Sequence, residues 1–263
     1  MFTWDVTRPR FVVRNIQTVC TMNAMFVLIH SPLVGPGTWL PVAQWLEQQV
    51  VTVLVPRLTD DGDTTAPYWR QHAEAVAQRM LSLPADRPLI LVGHSGAGPL
   101  LPAIRERVPH PIAGYIFVDA GLPRDGMSRL AEIEESIPED AVVVREHLEA
   151  GDRFPLWTDE ELRDLVPDVQ RRHDLLAELS PRPLAFFTEP IPVFAGWPDA
   201  PCAYIKLSDG YGRAAEAAQR AGWACSAIDA GHFHMLVDPV KIAALLLAHA
   251  ESMATNANGD RYD

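Results

Sequence analysis

The stretch LILVGHSGAGPL, residues 89–100, decides the fold because a run of branched apolar residues ends there in small residues around one serine. An unbroken run such as that from Leu89 to Val92 is typical of a parallel strand buried on both faces. The glycines and alanine beside Ser95 suit a turn too tight for bulky side chains, and the residues after it can begin a helix. The stretch therefore predicts a nucleophile elbow.

A structural interpretation competes with the elbow. A glycine-rich connection can simply pack a helix against a sheet, or hold a phosphate at a helix N-terminus. The segment also departs from the pattern Gly-x-Ser-x-Gly, because Ala97 stands at the second glycine position and Gly98 follows it. Alanine is small enough for the same turn, so the departure is mild, and the rest of the chain has to separate the two interpretations.

Strands and helices alternate along most of the chain. Apolar runs predict further strands at residues 26–30, 51–55, 112–118, 202–207 and 225–228. Apolar residues at helical spacing between them predict helices near residues 39–50, 69–80, 214–221 and 240–250. This alternation predicts an α/β fold with a mostly parallel, doubly wound sheet. From 122 to 192 the strand pattern gives way to acidic, proline-broken helical sequence, which predicts a helical cap inserted after the strand that ends at Asp119.

The 263 residues are 48% hydrophobic, which is enough for one large domain. We expect an N-terminal extension at 1–24, a core of 25–121 and 193–252, the cap at 122–192 and a flexible tail at 253–263. The net charge of −12 argues against a nucleic-acid partner. The sequence contains three scattered cysteines and no apolar run of membrane-spanning or signal-peptide length. We therefore expect a cytoplasmic monomer or homodimer, without a membrane partner, that acts on a small-molecule substrate.

Reactive residues follow several of the predicted strands. Active sites in open parallel sheets form at the carboxyl ends of strands, and His30, Ser95, Asp119 and Asp209 stand at such ends. His232 follows the last predicted strand. A serine hydroxyl becomes a good nucleophile when a histidine takes its proton, and that histidine needs a carboxylate to fix its tautomer. The chain therefore offers the parts of a Ser-Asp-His triad in that order.

Three segments resemble the α/β-hydrolase superfamily, and the resemblance covers about residues 24–250. FVLIHSPLVGPGTW (26–39) is similar to the family's first strand and oxyanion loop, VGHSGAG (92–98) to its elbow, and GHFHMLVDP (231–239) to its histidine loop. The first and last are similar to the small-molecule esterase branch that contains plant methylesterases and hydroxynitrile lyases. The resemblance implies the α/β-hydrolase fold, with Ser95 as the nucleophile and His232 as the general base.

The acid of the triad is open between two aspartates. The family usually places it after the penultimate strand, where Asp209 ends the stretch Lys-Leu-Ser-Asp, and we favour Asp209 although the glycine of the family's turn is missing. Asp119 is the alternative, because some members carry the acid at the end of the preceding strand. Asp199 and Asp229 are weaker options. Asp229 is too close to His232 along the chain.

The other histidines are expected to have structural roles. His234 is the rival of His232 as the base, but two residues further along a short loop its side chain should face elsewhere. His94 adjoins the serine and is common at that position in the family without being catalytic. The remaining histidines are expected to pack, namely His72, His110, His147, His173 and His249.

The oxyanion loop departs from the family in a way that bears on chemistry. One donor is normally the backbone N–H after the nucleophile, here that of Gly96. Alignment of the loop puts Ser31 where the family has glycine and Pro32 at the second donor position. Proline has no N–H, so either the Leu33 N–H or the Ser31 hydroxyl substitutes, or the reaction builds no full oxyanion.

The leading hypothesis is a serine hydrolase that cleaves a small ester, thioester or lactone through the triad and an acyl-enzyme. A lyase or cyclase on the same fold is the alternative, and the presence of Pro32 in the oxyanion loop favours it. A non-catalytic binding protein is disfavoured, because Ser95 and His232 are both present. The sequence contains no metal cluster, dinucleotide fingerprint or P-loop, so no cofactor is expected. Some aromatic residues of the cap region are expected to line an apolar pocket over Ser95, from the set Phe154, Trp157, Phe186, Phe187 and Trp197.

Overall fold

One parallel sheet carries the architecture in the computed structural model, which describes residues 24–61 and 67–259. Its six strands lie in the order β2-β1-β3-β4-β5-β6 and all neighbours pair in parallel. They are β1 (Met25–Ile29), β2 (Val53–Leu54), β3 (Leu89–Ser95), β4 (Ile112–Ala120), β5 (Cys202–Lys206) and β6 (Ala224–Ala227). The predicted α/β class is confirmed. The expected N-terminal extension, apart from residue 24, lies outside the described residues.

Helices connect the strands and form the cap. The core helices are α1 (Leu40–Gln48), α2 (Tyr68–Met80), α3 (Leu101–Arg105), α9 (Gly212–Arg220), α10 (His234–Val237) and α11 (Pro239–Gly259). Between β4 and β5 lie α4 (Arg129–Ser136), α5 (Pro138–Glu149), α6 (Asp159–Leu162), α7 (Val169–Ala177) and α8 (Leu184–Thr188). These five helices lie in the segment where the sequence predicts a helical cap. Within the described residues, no helix is long and apolar enough to cross a bilayer.

The central strands are apolar on both sides because each face of the sheet is covered. Side chains alternate between faces along a strand, so neighbouring residues of β1 enter different cores. Phe26 and Leu28 pack with residues of α1 and α11, whereas Met25 and Val27 pack with residues of α2, α3 and α9. This burial explains the continuous apolar runs seen in the sequence.

The strand order places the crevice of the sheet between β1 and β3. From β1 the chain moves outward to β2 and then returns to β3 on the other side of β1. In open α/β sheets, ligands bind outside the carboxyl ends of the strands where the direction of winding reverses. The loop after β1 and the elbow after β3 border this point, so Ser31 and Ser95 lie on its two sides.

The last helix is longer than the sequence predicts. Residues 253–259, expected in the flexible tail, continue α11 to Gly259. Met253 is buried, and its sulfur occupies the space that a side chain on Gly114 of β4 would need. The apolar contact of Met253 with the sheet therefore extends the helix beyond the predicted end at residue 250. The final residues, 260–263, lie outside the described part of the chain.

Candidate active site

Ser95 is held at a sharp turn between β3 and the helical segment that follows. Its φ is +57°, a left-handed conformation that is costly for a residue with a side chain. A 3-10 turn at Gly98–Leu100 leads into α3, and a Cβ on Gly98 would overlap the carbonyl oxygen of Gly121. Ala97 is fully buried and has an ordinary φ of −82°, so alanine fits at this position. The residue that the Gly121 carbonyl oxygen approaches closely is Gly98.

Asp119 stands at a second strained position, on the strand beside Ser95. Its φ is +44°. The pairing of β3 with β4 runs His94 to Val118 and then Ser95 to Ala120, so the register skips Asp119. An irregularity of this kind redirects a side chain at the end of a strand. Here it turns the carboxylate of Asp119 toward β5 and the histidine loop.

Four hydrogen bonds hold the Asp119 carboxylate. Its Oδ1 accepts from the backbone N–H groups of Leu207 and Ser208, both at 2.9 Å. Its Oδ2 accepts from the Ser208 hydroxyl at 2.6 Å and lies 2.8 Å from His232 Nδ1. Burial alone would raise the pKa of Asp119, but the bonds from His232 and Ser208 outweigh burial and lower it. Asp119 is therefore an ionised, fixed acceptor for His232.

The structure corrects the expectation that Asp209 orients the histidine. The side chain of Asp209 is fully exposed, and its carboxylate forms an ion pair with Lys206 Nζ at 2.7 Å. The reason is the path of the turn after β5, where Ser208 folds its N–H and hydroxyl onto Asp119 and directs the next residue to solvent. Asp199, a weaker option, is bound by Arg105 and Tyr115 instead.

His232 is supported by its neighbours as well as by Asp119. The Nε2–H of His94 donates to the backbone carbonyl of His232 at 3.0 Å, and the two rings lie 4.5 Å apart. Burial holds the pKa of His94 well below its usual range, so His94 is neutral and adds no charge beside His232. His234 begins α10, where its backbone N–H donates to the Gly231 carbonyl. With Nδ1 bound to Asp119, His232 has Nε2 for proton transfer.

The loop after β1 brings Ser31 and Pro32 beside Gly96. A Cβ placed on Gly96 would lie 3.5 Å from Ser31 Oγ and 3.6 Å from Pro32 Cδ. The Leu33 N–H points back to Ser31 Oγ, at a long 3.4 Å. The sequence leaves the Leu33 N–H and the Ser31 hydroxyl as the two candidates for the second oxyanion donor. The Leu33 N–H is directed at the Ser31 hydroxyl.

Contacts with the cap region fix this loop. Arg182 donates to the Pro32 carbonyl at 3.3 Å and to Asp60 at 2.6 Å. The Leu33 carbonyl accepts from the N–H of Ser180 at 2.9 Å. His30 accepts the Leu58 N–H on Nε2 and donates from Nδ1 to the Ser31 carbonyl, while burial lowers its pKa to about 4. These bonds indicate a loop whose path is set before a substrate enters.

Tyr211 is a site residue that the sequence did not single out. It ends a 3-10 turn, Asp209–Tyr211, after β5. Its hydroxyl lies 3.0 Å from Ser95 Oγ, and its ring stacks on His232 with centroids 5.2 Å apart and planes 9° apart. The only signal in the sequence was its place shortly after a strand end. Tyr211 therefore contacts both residues expected to react.

A cavity of about 130 Å³ lies over Ser95 and is mainly apolar. Its walls include Pro32 and Leu33 from the loop, Ile133 and Ile137 from the cap, Phe186 and Phe187 from α8, and Tyr211. Of the five aromatic residues proposed as lining from the sequence, Phe186 and Phe187 are in this wall. Trp197 packs against Tyr115 with the ring planes tilted by 57°, and Phe154 and Trp157 pack edge to face with each other.

Two charged residues of α4 also line the cavity. Arg129 donates to Glu189 at 2.8 Å and its guanidinium lies 4.0 Å from the centroid of the Phe186 ring. Glu132 lies against Gly121, and burial raises its pKa to about 7. Within residues 24–61 and 67–259, no group of three or more His, Cys, Asp or Glu side chains could hold a metal ion.

Comparison with known proteins places these features in a wider group. A family model described as the alpha/beta hydrolase family matches residues 26–245. Methylesterase 17 of Arabidopsis thaliana is 25% identical over 182 residues, which cover 65% of this chain and 64% of that protein. Methylesterase 1 of Arabidopsis thaliana is 34% identical over 104 residues, which cover 37% of this chain and 40% of that protein. The matched segments thus span less than two thirds of either relative.

Solved structures share the fold at low sequence identity. An extracellular alpha/beta-hydrolase from a Paenibacillus species aligns with a TM-score of 0.69 at 19% identity, covering 86% of this chain and 98% of that one. Polyneuridine aldehyde esterase aligns with a TM-score of 0.67 at 19% identity, covering 86% and 98%. Tomato methylketone synthase I, complexed with 2-tridecanone, aligns with a TM-score of 0.69 at 16% identity. The alignment covers 88% of this chain and 98% of that one. These likenesses concern the fold alone.

Proposed function

Because the chain belongs to the alpha/beta hydrolase family, and because Asp119 binds His232 beside a serine at a strained elbow, we propose that it is a serine hydrolase of small carboxylic esters. The observation that carries the proposal is the pair of His232 Nδ1 and Asp119 Oδ2, 2.8 Å apart, at the edge of the sheet where Ser95 stands. A histidine fixed in this way can take the proton of a serine hydroxyl through its other nitrogen.

The reaction we propose has two halves. Ser95 Oγ attacks the ester carbonyl carbon while its proton passes to His232 Nε2, and the carbonyl π electrons move to the oxygen. The intermediate collapses, the alkoxide leaves with the proton from His232, and an acyl group remains on Ser95. Water then attacks the acyl-enzyme with His232 again as base, which releases the acid and restores the serine. Asp119 stays ionised throughout and stabilises the imidazolium.

The cavity supports an ester with a small apolar portion. About 130 Å³ bounded by Phe186, Phe187, Ile133 and Ile137 favours a short or compact chain over a long one. The curated relatives named methylesterases make methyl esters the first alcohol portion to try. Thioesters and lactones are the other carbonyl classes open to the same chemistry.

A panel of esters tests the proposal. The kcat/KM of the wild type should be measured on p-nitrophenyl acetate, butyrate and decanoate and on methyl esters of small acids, with Ser95→Ala as the control. We expect turnover of the short substrates, weak turnover of the decanoate, and loss of activity in Ser95→Ala. Equal rates in the wild type and Ser95→Ala on every substrate would contradict the proposal.

Lyase or cyclase chemistry on the same fold is the second candidate. The specific observation in its favour is that Pro32 adjoins Gly96, where a second backbone donor would normally stabilise an oxyanion. A reaction without a full tetrahedral oxyanion would tolerate that loss. It would show as conversion of a substrate without formation of an acyl-enzyme, and trapping with hydroxylamine during turnover distinguishes the two cases.

A further inference from the structure

The oxyanion site has one backbone donor where a serine hydrolase normally has two. The N–H of Gly96, the residue after the proposed nucleophile, is one donor. Pro32, whose ring adjoins Gly96, has no N–H. The next amide, that of Leu33, is directed at Ser31 Oγ at 3.4 Å. If the chain hydrolyses esters, a side chain has to supply the second hydrogen bond.

Tyr211 is placed to supply that bond. Its hydroxyl lies 3.0 Å from Ser95 Oγ. In the tetrahedral intermediate the oxyanion is two covalent bonds from that Oγ, so a donor that reaches Oγ needs only a small rotation to reach the oxyanion. Tyr211 also lines the cavity that would receive the substrate, together with Gly96. The phenol and the amide of Gly96 thus converge on one region.

Two features keep the phenol in position and in its donating form. The Tyr211 ring lies parallel to the ring of His232, 5.2 Å between centroids, and the end of a 3-10 turn fixes its backbone. Burial, with a further contribution from Glu132, raises the pKa of the Tyr211 hydroxyl above its ordinary value. The phenol therefore keeps its proton at neutral pH and can donate a hydrogen bond.

We infer that Tyr211 is a catalytic residue that donates the second hydrogen bond to the oxyanion in place of a loop amide. This inference rests on the proposed ester hydrolysis. During attack, the Ser95 proton passes to His232 Nε2, and the carbonyl oxygen gains the electron pair of the broken π bond. The Gly96 N–H and the Tyr211 O–H donate to that oxygen, and the phenol keeps its proton as the intermediate collapses and the alkoxide leaves.

Ser31 is the competing donor. Its hydroxyl is buried near Gly96 and accepts the long bond from Leu33, which leaves its own hydrogen available. The Tyr211 hydroxyl is favoured because it already contacts the attacking atom. The two residues make different predictions for single substitutions, so kinetics can separate them.

The test compares three variants on one short p-nitrophenyl ester. Tyr211→Phe keeps the ring and its stack on His232 but removes the donor. We expect kcat to fall about 10²- to 10³-fold with KM nearly unchanged, the scale measured when one oxyanion donor is removed. Tyr115→Phe is the matched control, because its hydroxyl binds Asp199 rather than Ser95, and it should keep the wild-type kcat. Ser31→Ala should lose less than Tyr211→Phe.

A transition-state analogue separates oxyanion binding from a structural role. A small trifluoromethyl ketone adds to the serine and forms a tetrahedral oxyanion, so its Ki should rise in Tyr211→Phe by the same factor as kcat/KM falls. Full activity in Tyr211→Phe with a large loss in Ser31→Ala would assign the donor to Ser31 and overturn this inference. An unchanged Ki in a slowed Tyr211→Phe would also overturn it. A wild type that hydrolyses no ester beyond the Ser95→Ala background would instead overturn the proposed function, and the inference with it.

Discussion

Asp119 Oδ2 lies 2.8 Å from His232 Nδ1, across 113 positions of the sequence. The carboxylate comes from the end of β4, the strand beside the elbow, and the turn after β5 supplies three of its hydrogen bonds through Leu207 and Ser208. The turn after β5, where the sequence alone favours the acid Asp209, thus holds the carboxylate of Asp119 from the neighbouring strand.

The first prediction separates the two aspartates. Asp119→Asn should lower kcat on a short ester by about 10³- to 10⁴-fold, because an amide can stabilise the wrong tautomer of His232. Asp209→Asn should stay within about twofold, since an exposed pair with Lys206 contributes little. Steady-state kinetics of both variants provide the measurement. A slow Asp209→Asn beside an active Asp119→Asn would reverse the assignment.

The second prediction concerns the two histidines of the GHFH segment. His232→Ala should remove most of the turnover, because no other group would take the Ser95 proton, and its Tm should fall because the fully buried Asp119 loses one partner. His234→Ala, at the start of α10, should keep near-normal kcat/KM. Ester kinetics and thermal unfolding of both variants check this. Near-normal turnover in His232→Ala would exclude it as the base.

The third prediction tests the packing of the elbow. Gly98→Ala places a Cβ against the Gly121 carbonyl oxygen and 3.1 Å from Ala120 Cβ, so we expect a loss of about 1–3 kcal/mol in the free energy of unfolding. Gly212→Ala is the control, because that helical position has open space around it and ordinary dihedral angles. It should be neutral or stabilise by about 0.4–1 kcal/mol. Urea unfolding gives both values, and equal stability of the two variants would refute the close approach.

The fourth prediction uses Glu132, a half-buried residue of the cavity wall. Burial raises its pKa from 4.5 to about 7, with Glu135 adding to the rise and Arg124 and Arg129 opposing it. Between these two values the folded chain holds a proton that the unfolded chain has lost, so the contribution of Glu132 to stability falls as pH rises from about 4.5 to 7. Glu132→Gln lacks this dependence.

The measurement is urea unfolding of the wild type and Glu132→Gln at pH 5 and pH 8. We expect the free energy of unfolding of Glu132→Gln, relative to that of the wild type, to be higher at pH 8 than at pH 5. Glu216→Gln, an exposed residue of α9 paired with Arg220, serves as the control and should show no such change. A constant difference between Glu132→Gln and the wild type at both pH values would mean that Glu132 titrates normally.

The sheet was readable from the sequence because its strands are buried on both faces. Residues 26–29 and 89–92 are apolar without interruption, and they lie in β1 and β3. Local composition also indicated the turn at Ser95, because a left-handed residue and a close helix require small neighbours. These features depend on short stretches of chain, which is why pattern alone reveals them.

The sequence alone does not reveal that Asp119, rather than Asp209, binds His232, because this contact depends on a register shift and on a turn far away in sequence. Nothing in the stretch around Asp119 shows that pairing with β3 skips it, and nothing in Lys-Leu-Ser-Asp shows that Ser208 turns inward while Asp209 turns outward. The sequence does not point to Tyr211 for the same reason. Its approach to Ser95 spans 116 positions and is set by the turn after β5.

Covalent labelling of Ser95 tests the proposed nucleophile most directly. A fluorophosphonate reacts with an activated serine and leaves its phosphonyl group on Oγ, which peptide mass spectrometry can locate. We expect rapid, stoichiometric modification of Ser95 in the folded wild type and much slower modification in His232→Ala. A folded wild type that remains unmodified at Ser95, or one labelled equally fast without His232, would contradict the claim that this serine is the nucleophile of a triad.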